Sequence, residues 1–312
     1  LLDAHDASLD ICQPARQQFD MTADIHLPSG HASEPPPVNV LVRIAAVEYL
    51  NTRPLIEGLE KLRGIKLVRA VPAKIIQLLL DNQAEIGLAS IIDAAASPEP
   101  MTLLPVGMIG CDGATLTVRL YSKVAFGSIA TLHADVESHT SVALSRILLA
   151  KQFRAFPSIK QFDAGTAPGS EWPEALLLIG DKVVTGAPKA NEYPFQLDLG
   201  EAWKALTGLP FVYAMWMCPS RLLAQNPTGD AIRLAVATLD RQRRHNLTRI
   251  DWIVDSQGPA AGWPIPMARA YLGSLLRYTV GPRERTAVST FMDAAKELQL
   301  IPDRNVYWFT PR

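Results

Sequence analysis

Short, mostly apolar runs alternate with helix-patterned segments along this chain, and that alternation constrains the fold more than any other feature. Residues 43–47, 65–70 and 85–90 read as buried strands. Residues 72–81 read as a helix with Ile75, Ile76, Leu79 and Leu80 on one face. Further strands are expected at 103–106, 116–121, 129–134, 156–162, 175–179 and 211–217, with helices at 142–153 and 199–206. From about Asp230 long helices take over, at 230–244, 266–276 and 282–297. This order argues for an α/β fold built on a mostly parallel sheet covered by helices. In such sheets ligands sit beyond the carboxyl ends of strands, where the chain turns into a helix.

Five turns after expected strands carry polar residues. After the first strand, Tyr49, Leu50 and Asn51 break the apolar pattern. Asn51 or Thr52 suits a helix N-cap, Pro54 suits the first turn, and Leu55, Ile56 and Leu59 continue a helical spacing. N–H groups at such a start favour an anion, although capping alone would explain both polar residues. Ser90 ends another strand and is followed by Ile91, Ile92 and Asp93. In the turn 110–115, GCDGAT, Gly113 beside Asp112, Ala114 and Thr115 permits unusual backbone angles and close approach to a ligand. Thr140 and Ser141 begin a helix, where hydroxyls are caps first and anion binders second. Asp181 follows the strand 175–179.

Composition narrows the function classes. With 312 residues, 48% hydrophobic and 20% charged, the chain can bury a large core as one domain or two lobes. A net charge of −1 with no long basic run argues against a nucleic-acid partner. Apolar runs such as 175–180 are far too short to span a membrane. Cys12, Cys111 and Cys218 are odd in number and widely spaced, which suits a reducing compartment. No histidine has ligand spacing to a cysteine or another histidine, so no structural metal is expected. Residues 1–38 hold six acids against Arg16 alone, and Pro35, Pro36 and Pro37 follow. Residues 1–41 are therefore read as a flexible extension ending in a stiff linker. They show no basic region followed by an apolar one, so a cytoplasmic location is the expectation.

Several blocks together carry a resemblance. They are YLNTRPL (49–55), the DGA turn (112–114), HTSVALSRILL (139–149), ALLLIGD (175–181), LDLGEAWKALTGLPFVYAMW (197–216) and YLGSLLRY (271–278). In this order the chain resembles the chorismate dehydratases of the futalosine route to menaquinone, from about residue 42 to 310. The resemblance implies a two-lobed fold of the periplasmic-binding-protein type II kind, with mixed sheets, helices on both faces and a cleft between lobes. It implies one lobe from 42–122 plus 217–312 and another from 123–216, with crossings near Leu120 and Met215.

The implied activity is a hydro-lyase reaction, loss of water from chorismate to give 3-[(1-carboxyvinyl)oxy]benzoate, with no metal or organic cofactor. The implied partner is that small carboxylate, with no nucleic acid and no membrane. On this resemblance Asn51 and Ser90 are the catalytic candidates. Tyr49, Thr52, Ile91, Asp112, Gly113, Ala114, Thr115, Thr140, Ser141 and Asp181 are candidates for binding substrate. The substrate's own side-chain carboxylate is the implied base.

Three positions depart from the family pattern: Glu48 and Ile91 where serines are usual, and Thr117 where a serine precedes Val118. Glu48 near a dianion would be unfavourable, so it is expected to point away from the cleft. Three small readings accompany these. Arg119 and Lys74 are expected at the surface, Trp203, Trp216 and Trp252 in packing, and Arg241, Arg243, Arg244 and His245 at an exposed helix end. The alternatives are a solute-binding protein without chemistry, a paralogue with a changed ligand, and the sister enzyme that makes 1,4-dihydroxy-6-naphthoate. YLNTRPL fits the last poorly.

Overall fold

The computed structural model describes residues 41–135, 138–163 and 172–310, so the expected extension lies outside the described residues. In chain order the strands are β1 (Val42–Ala46), β2 (Ile65–Arg69), β3 (Ile86–Ser90), β4 (Met101–Cys111), β5 (Val118–Ser122), β6 (Thr131–Asp135), β7 (Ser158–Phe162), β8 (Ala175–Ile179), β9 (Phe195–Asp198), β10 (Phe211–Pro219), β11 (Leu276–Arg277) and β12 (Tyr307–Trp308). They form two sheets. One has the order β11-β4-β10-β3-β1-β2, with β12 also paired to β4, and the other has the order β7-β6-β8-β5-β9.

Both sheets are mixed. β1 runs parallel to β2 and β3, while β10 runs antiparallel to β3 and β4. In the second sheet β6 runs parallel to β7 and β8, while β5 opposes β8 and β9. The opposed strands are those beside the crossings between lobes, which is why local alternation suggested a mostly parallel sheet. β5 pairs in the second sheet and β10 in the first. The chain therefore crosses between Cys111 and Val118, and again before Phe211, rather than near Leu120 and Met215.

The helices are α1 (Arg53–Ile56), α2 (Pro72–Leu80), α3 (Asp93–Ala96), α4 (His139–Phe153), α5 (Lys182–Thr185), α6 (Leu199–Thr207), α7 (Thr228–Leu247), α8 (Ile250–Gln257), α9 (Ile265–Ala270) and α10 (Pro282–Glu297). β3 is buried along its whole length, with α2 packed upon it. Gly87 permits that closeness: a Cβ there would stand 2.7 Å from Ile75 Cγ2. β4 is longer than its apolar core suggested: Gly110 keeps its partner Val212 in β10, while the register slips between Leu103 and Met108, the stretch that holds Pro105 and Gly107.

The expected helix at 266–276 is three pieces. α9 stops at Ala270, a π turn spans Tyr271–Leu275, and β11 follows. Arg243 also departs from expectation. It is 8% exposed, and its guanidinium donates to Val106 O and Thr279 Oγ1 and pairs with Asp240. Among the described residues no helix is long and apolar enough to cross a membrane.

Candidate functional site

Between the two sheets lies a cleft of about 620 Å³, counting the part open to solvent. Its polar lining comes from both lobes: Tyr49, Asn51, Ser90, Thr115, Thr117, Ser138, Ser141, Tyr213 and Tyr271. Val47, Leu88, Ile109, Val118, Ile179 and Leu276 supply apolar walls. No Asp, Glu, His, Lys or Arg is among the described lining residues.

The first corner is tighter than a helix start. A 3₁₀ turn spans Leu50–Thr52, and α1 lasts a single turn. Neither Asn51 nor Thr52 caps it with a side chain. The Asn51 amide is engaged elsewhere. Thr52 Oγ1, fully buried, donates to Asn51 Oδ1 at 3.1 Å. Asn51 also hydrogen-bonds the Tyr271 phenol, and that phenol meets Thr117 Oγ1 at 2.6 Å. Asn51, Tyr271 and Thr117 are thus one chain of bonds along the cleft wall. Burial pushes the Tyr271 phenol well above its ordinary value, so it stays neutral and keeps its proton to donate.

Thr115 and Thr117 flank Leu116, whose φ of 70° lies in the left-handed region, uncommon for a residue with a side chain. Asp198 holds that turn. It accepts from the N–H groups of Thr115 and Leu116 while capping α6 through Gly200 and Glu201. Gly200 permits the approach, since a Cβ there would lie 2.1 Å from Thr115 Oγ1. The Thr115 hydroxyl meets the Tyr213 phenol at 2.7 Å and Cys111 Sγ at 3.2 Å. Burial pushes the Cys111 thiol up to about 11 and Tyr213 well above its usual range, so both remain neutral at pH 7.

From the second lobe, α4 points its N-terminus at the cleft. Ser138 caps it, accepting from Ser141 N–H at 3.2 Å, and both serines line the cleft. A helix of 15 residues brings partial positive charge to that end.

Five of the sequence candidates therefore meet in the cleft: Tyr49, Asn51, Ser90, Thr115 and Ser141. Seven do not line it. Thr52 is buried behind Asn51. Ile91 is fully buried in the core, and its N–H donates to Tyr213 O. Its apolar side chain therefore removes no donor from the cleft. Asp112 turns outward to Lys204 and Arg283, which hold its carboxyl below the usual carboxylate range. Gly113 and Ala114 follow it to the surface side. Thr140 Oγ1 faces Ile92 N–H across the lobes at 3.4 Å. Asp181 accepts from Trp263 Nε1 at 2.8 Å. Glu48 pairs with Arg69 outside the cleft.

Sequence reasoning missed Tyr213, Tyr271 and Ser138, and treated Thr117 only as a departure. The signal available for Tyr271 was its opening position in YLGSLLRY, at the point where the helical pattern fails. Among the described residues no three His, Cys, Asp or Glu side chains gather into a metal-ligand set.

Known proteins resemble this arrangement at two levels. The chain is 29% identical over 260 residues to the chorismate dehydratase of Thermus thermophilus, covering 79% of this chain and 92% of that one. A conserved Candida albicans protein with the generic periplasmic-binding-protein fold matches with a TM-score of 0.60 at 12% identity, over 85% of this chain and 92% of that one. The alkanesulfonate-binding protein of Xanthomonas axonopodis matches with a TM-score of 0.55 at 14% identity, over 89% and 99%. These structural likenesses establish a periplasmic-binding-protein-like fold. The family model for menaquinone biosynthesis matches residues 42–297, the stretch that builds both lobes and every residue of the cleft, and the chain belongs to that family.

Proposed function

We propose that this protein is a chorismate dehydratase. The observation that carries the reading is the cleft lining: neutral hydroxyl and amide groups from both lobes, no carboxylate among the described lining residues, and the N-terminus of α4 facing in. The relative from Thermus thermophilus supports the same substrate.

Chorismate is a dianion, so a cleft lined with carboxylates would repel it. Donors without charge and a helix N-terminus accept it without burying a counter-ion. In the reaction a proton leaves the ring carbon bearing the ether, and the electron pair spreads through the ring double bond onto the ring carboxylate. Hydroxide then leaves the neighbouring carbon, takes up a proton to become water, and the ring becomes aromatic. Conjugation acidifies the proton and aromatisation drives the loss, so the substrate's own side-chain carboxylate suffices as base. The protein holds one pose and stabilises charge as it moves onto a carboxylate.

In this reading Ser141 and the first turn of α4 hold a carboxylate from one lobe. Asn51 and Ser90 face the reacting carbons from the other. Thr115, Thr117 and Tyr271 fix the ring edge between them. Incubating purified protein with chorismate, and following the aromatic product by absorbance and mass, tests this directly. Formation of 3-[(1-carboxyvinyl)oxy]benzoate is expected. Saturable binding of chorismate with no product would make the protein a binding module, and no binding would sink the substrate assignment.

A further inference from the structure

Asp181 and Trp263 lie behind the cleft and are not part of its lining. They nevertheless connect, by two routes, to the corner that carries Asn51. Asp181 comes from the second lobe, where it precedes α5. Its carboxylate accepts from Trp263 Nε1 of the first lobe at 2.8 Å and also from the Leu50 N–H, next to Asn51. The Trp263 ring stacks on Tyr271, with centroids 4.7 Å apart and planes 15° from parallel. Tyr271 in turn bonds the Asn51 side chain and Thr117. The circuit closes on itself, from Asn51 through Tyr271, Trp263 and Asp181 to the backbone of Leu50. Trp263, Tyr271 and Leu50 are all nearly fully buried, so these contacts cannot be exchanged freely for water.

Two links in that circuit, from Asp181 to Trp263 and from Asp181 to Leu50, span the lobes. We propose that Trp263 is a positioning residue that couples closure of the lobes to placement of the Asn51 amide. With the lobes closed, Asp181 holds the indole edge-on, the indole fixes the plane of Tyr271, and the phenol fixes the amide. With the lobes open, Trp263 loses its acceptor and Leu50 loses its own, and the amide is released at both ends. Preorganised donors accelerate a reaction only when already aimed, so the site becomes competent on closure.

The inference rests on the dehydratase reading, and the test separates the two. Trp263→Phe keeps a ring on Tyr271 and removes the N–H. Kinetics on chorismate are expected to show kcat lowered roughly tenfold to a hundredfold, with KM changed less than about threefold. In an Asn51→Ala background the same substitution is expected to cost nothing further, because its effect travels through that amide. A structural role alone would multiply with Asn51→Ala, and that result overturns the proposal, as does an unchanged kcat. Asp181→Asn repeats the test from the other lobe should Trp263→Phe melt below the assay temperature. If the wild-type protein binds chorismate without turning it over, the dehydratase reading falls and the coupling is read from the Asn51 side-chain amide resonance. Trp263→Phe is then expected to shift it and speed its exchange, and an unmoved resonance overturns the coupling.

Discussion

Two of the contacts between the lobes use different chemistry. At the first, Asp181 accepts from Trp263 and from the Leu50 backbone, and the Tyr49 ring packs over Gly180, where a Cβ would stand 3.6 Å from it. At the second, His139 at the start of α4 pairs with the buried Asp93 of α3 at 2.8 Å, and Ile92 N–H reaches Thr140 Oγ1. The donors of the first contact, an indole and a peptide, keep their protons at any ordinary pH. The second contains an imidazole whose pKa Asp93 raises. Near neutrality, pH therefore reaches the donor of the second contact and not the donors of the first.

The largest way to break this comparison is Asp181→Ala. It leaves the Trp263 and Leu50 N–H groups buried without an acceptor, at about 1–3 kcal/mol each. A lower melting temperature and at least a tenfold drop in chorismate turnover are expected. A variant as stable and active as wild type would show that the contact does not hold the corner.

His139→Gln has the next effect, and it depends on pH. The folded-state pKa of His139 is raised, so the stabilisation it brings is complete below its unfolded value, about 6.5. It is lost as pH rises through the raised value. The difference in melting temperature between wild type and His139→Gln should therefore be greatest in mild acid and fade at alkaline pH. A constant difference across that range would mean the pair contributes nothing by charge.

The smallest effect belongs to Thr140→Val. It removes a long bond, so a loss of no more than about 1 kcal/mol in denaturant unfolding is expected. The affinity for chorismate should stay within about twofold, because the hydroxyl faces Ile92 rather than the cleft. A tenfold weaker affinity would return Thr140 to the binding site.

The corners of the fold were legible because strand ends and helix starts leave local marks in composition. Asn51, Ser90 and Ser141 reached the cleft for that reason. What local marks cannot say is which way a side chain turns once distant partners arrive. Asp112 sits in the turn that looked most like a ligand cradle, yet Lys204 and Arg283 draw it outward. Thr117 and Tyr271 lie 154 positions apart and become neighbours only through the crossing and the π turn. Tyr271 also carries an apolar pattern around it, so its phenol reads as core until Asn51 and Thr117 are placed beside it. Fold class depended on patterns repeated many times along the chain, whereas the site depended on a few pairings made once.

The proposed activity requires that a cleft with no charged side chain among its described lining residues, aimed by Asn51, removes water from chorismate. The most direct measurement is kcat for that reaction in wild type and Asn51→Ala, with affinity for the aromatic product and the melting temperature measured alongside. A loss of about a hundredfold or more in kcat is predicted, with product affinity and stability nearly unchanged. Equal turnover by the two proteins would contradict the account.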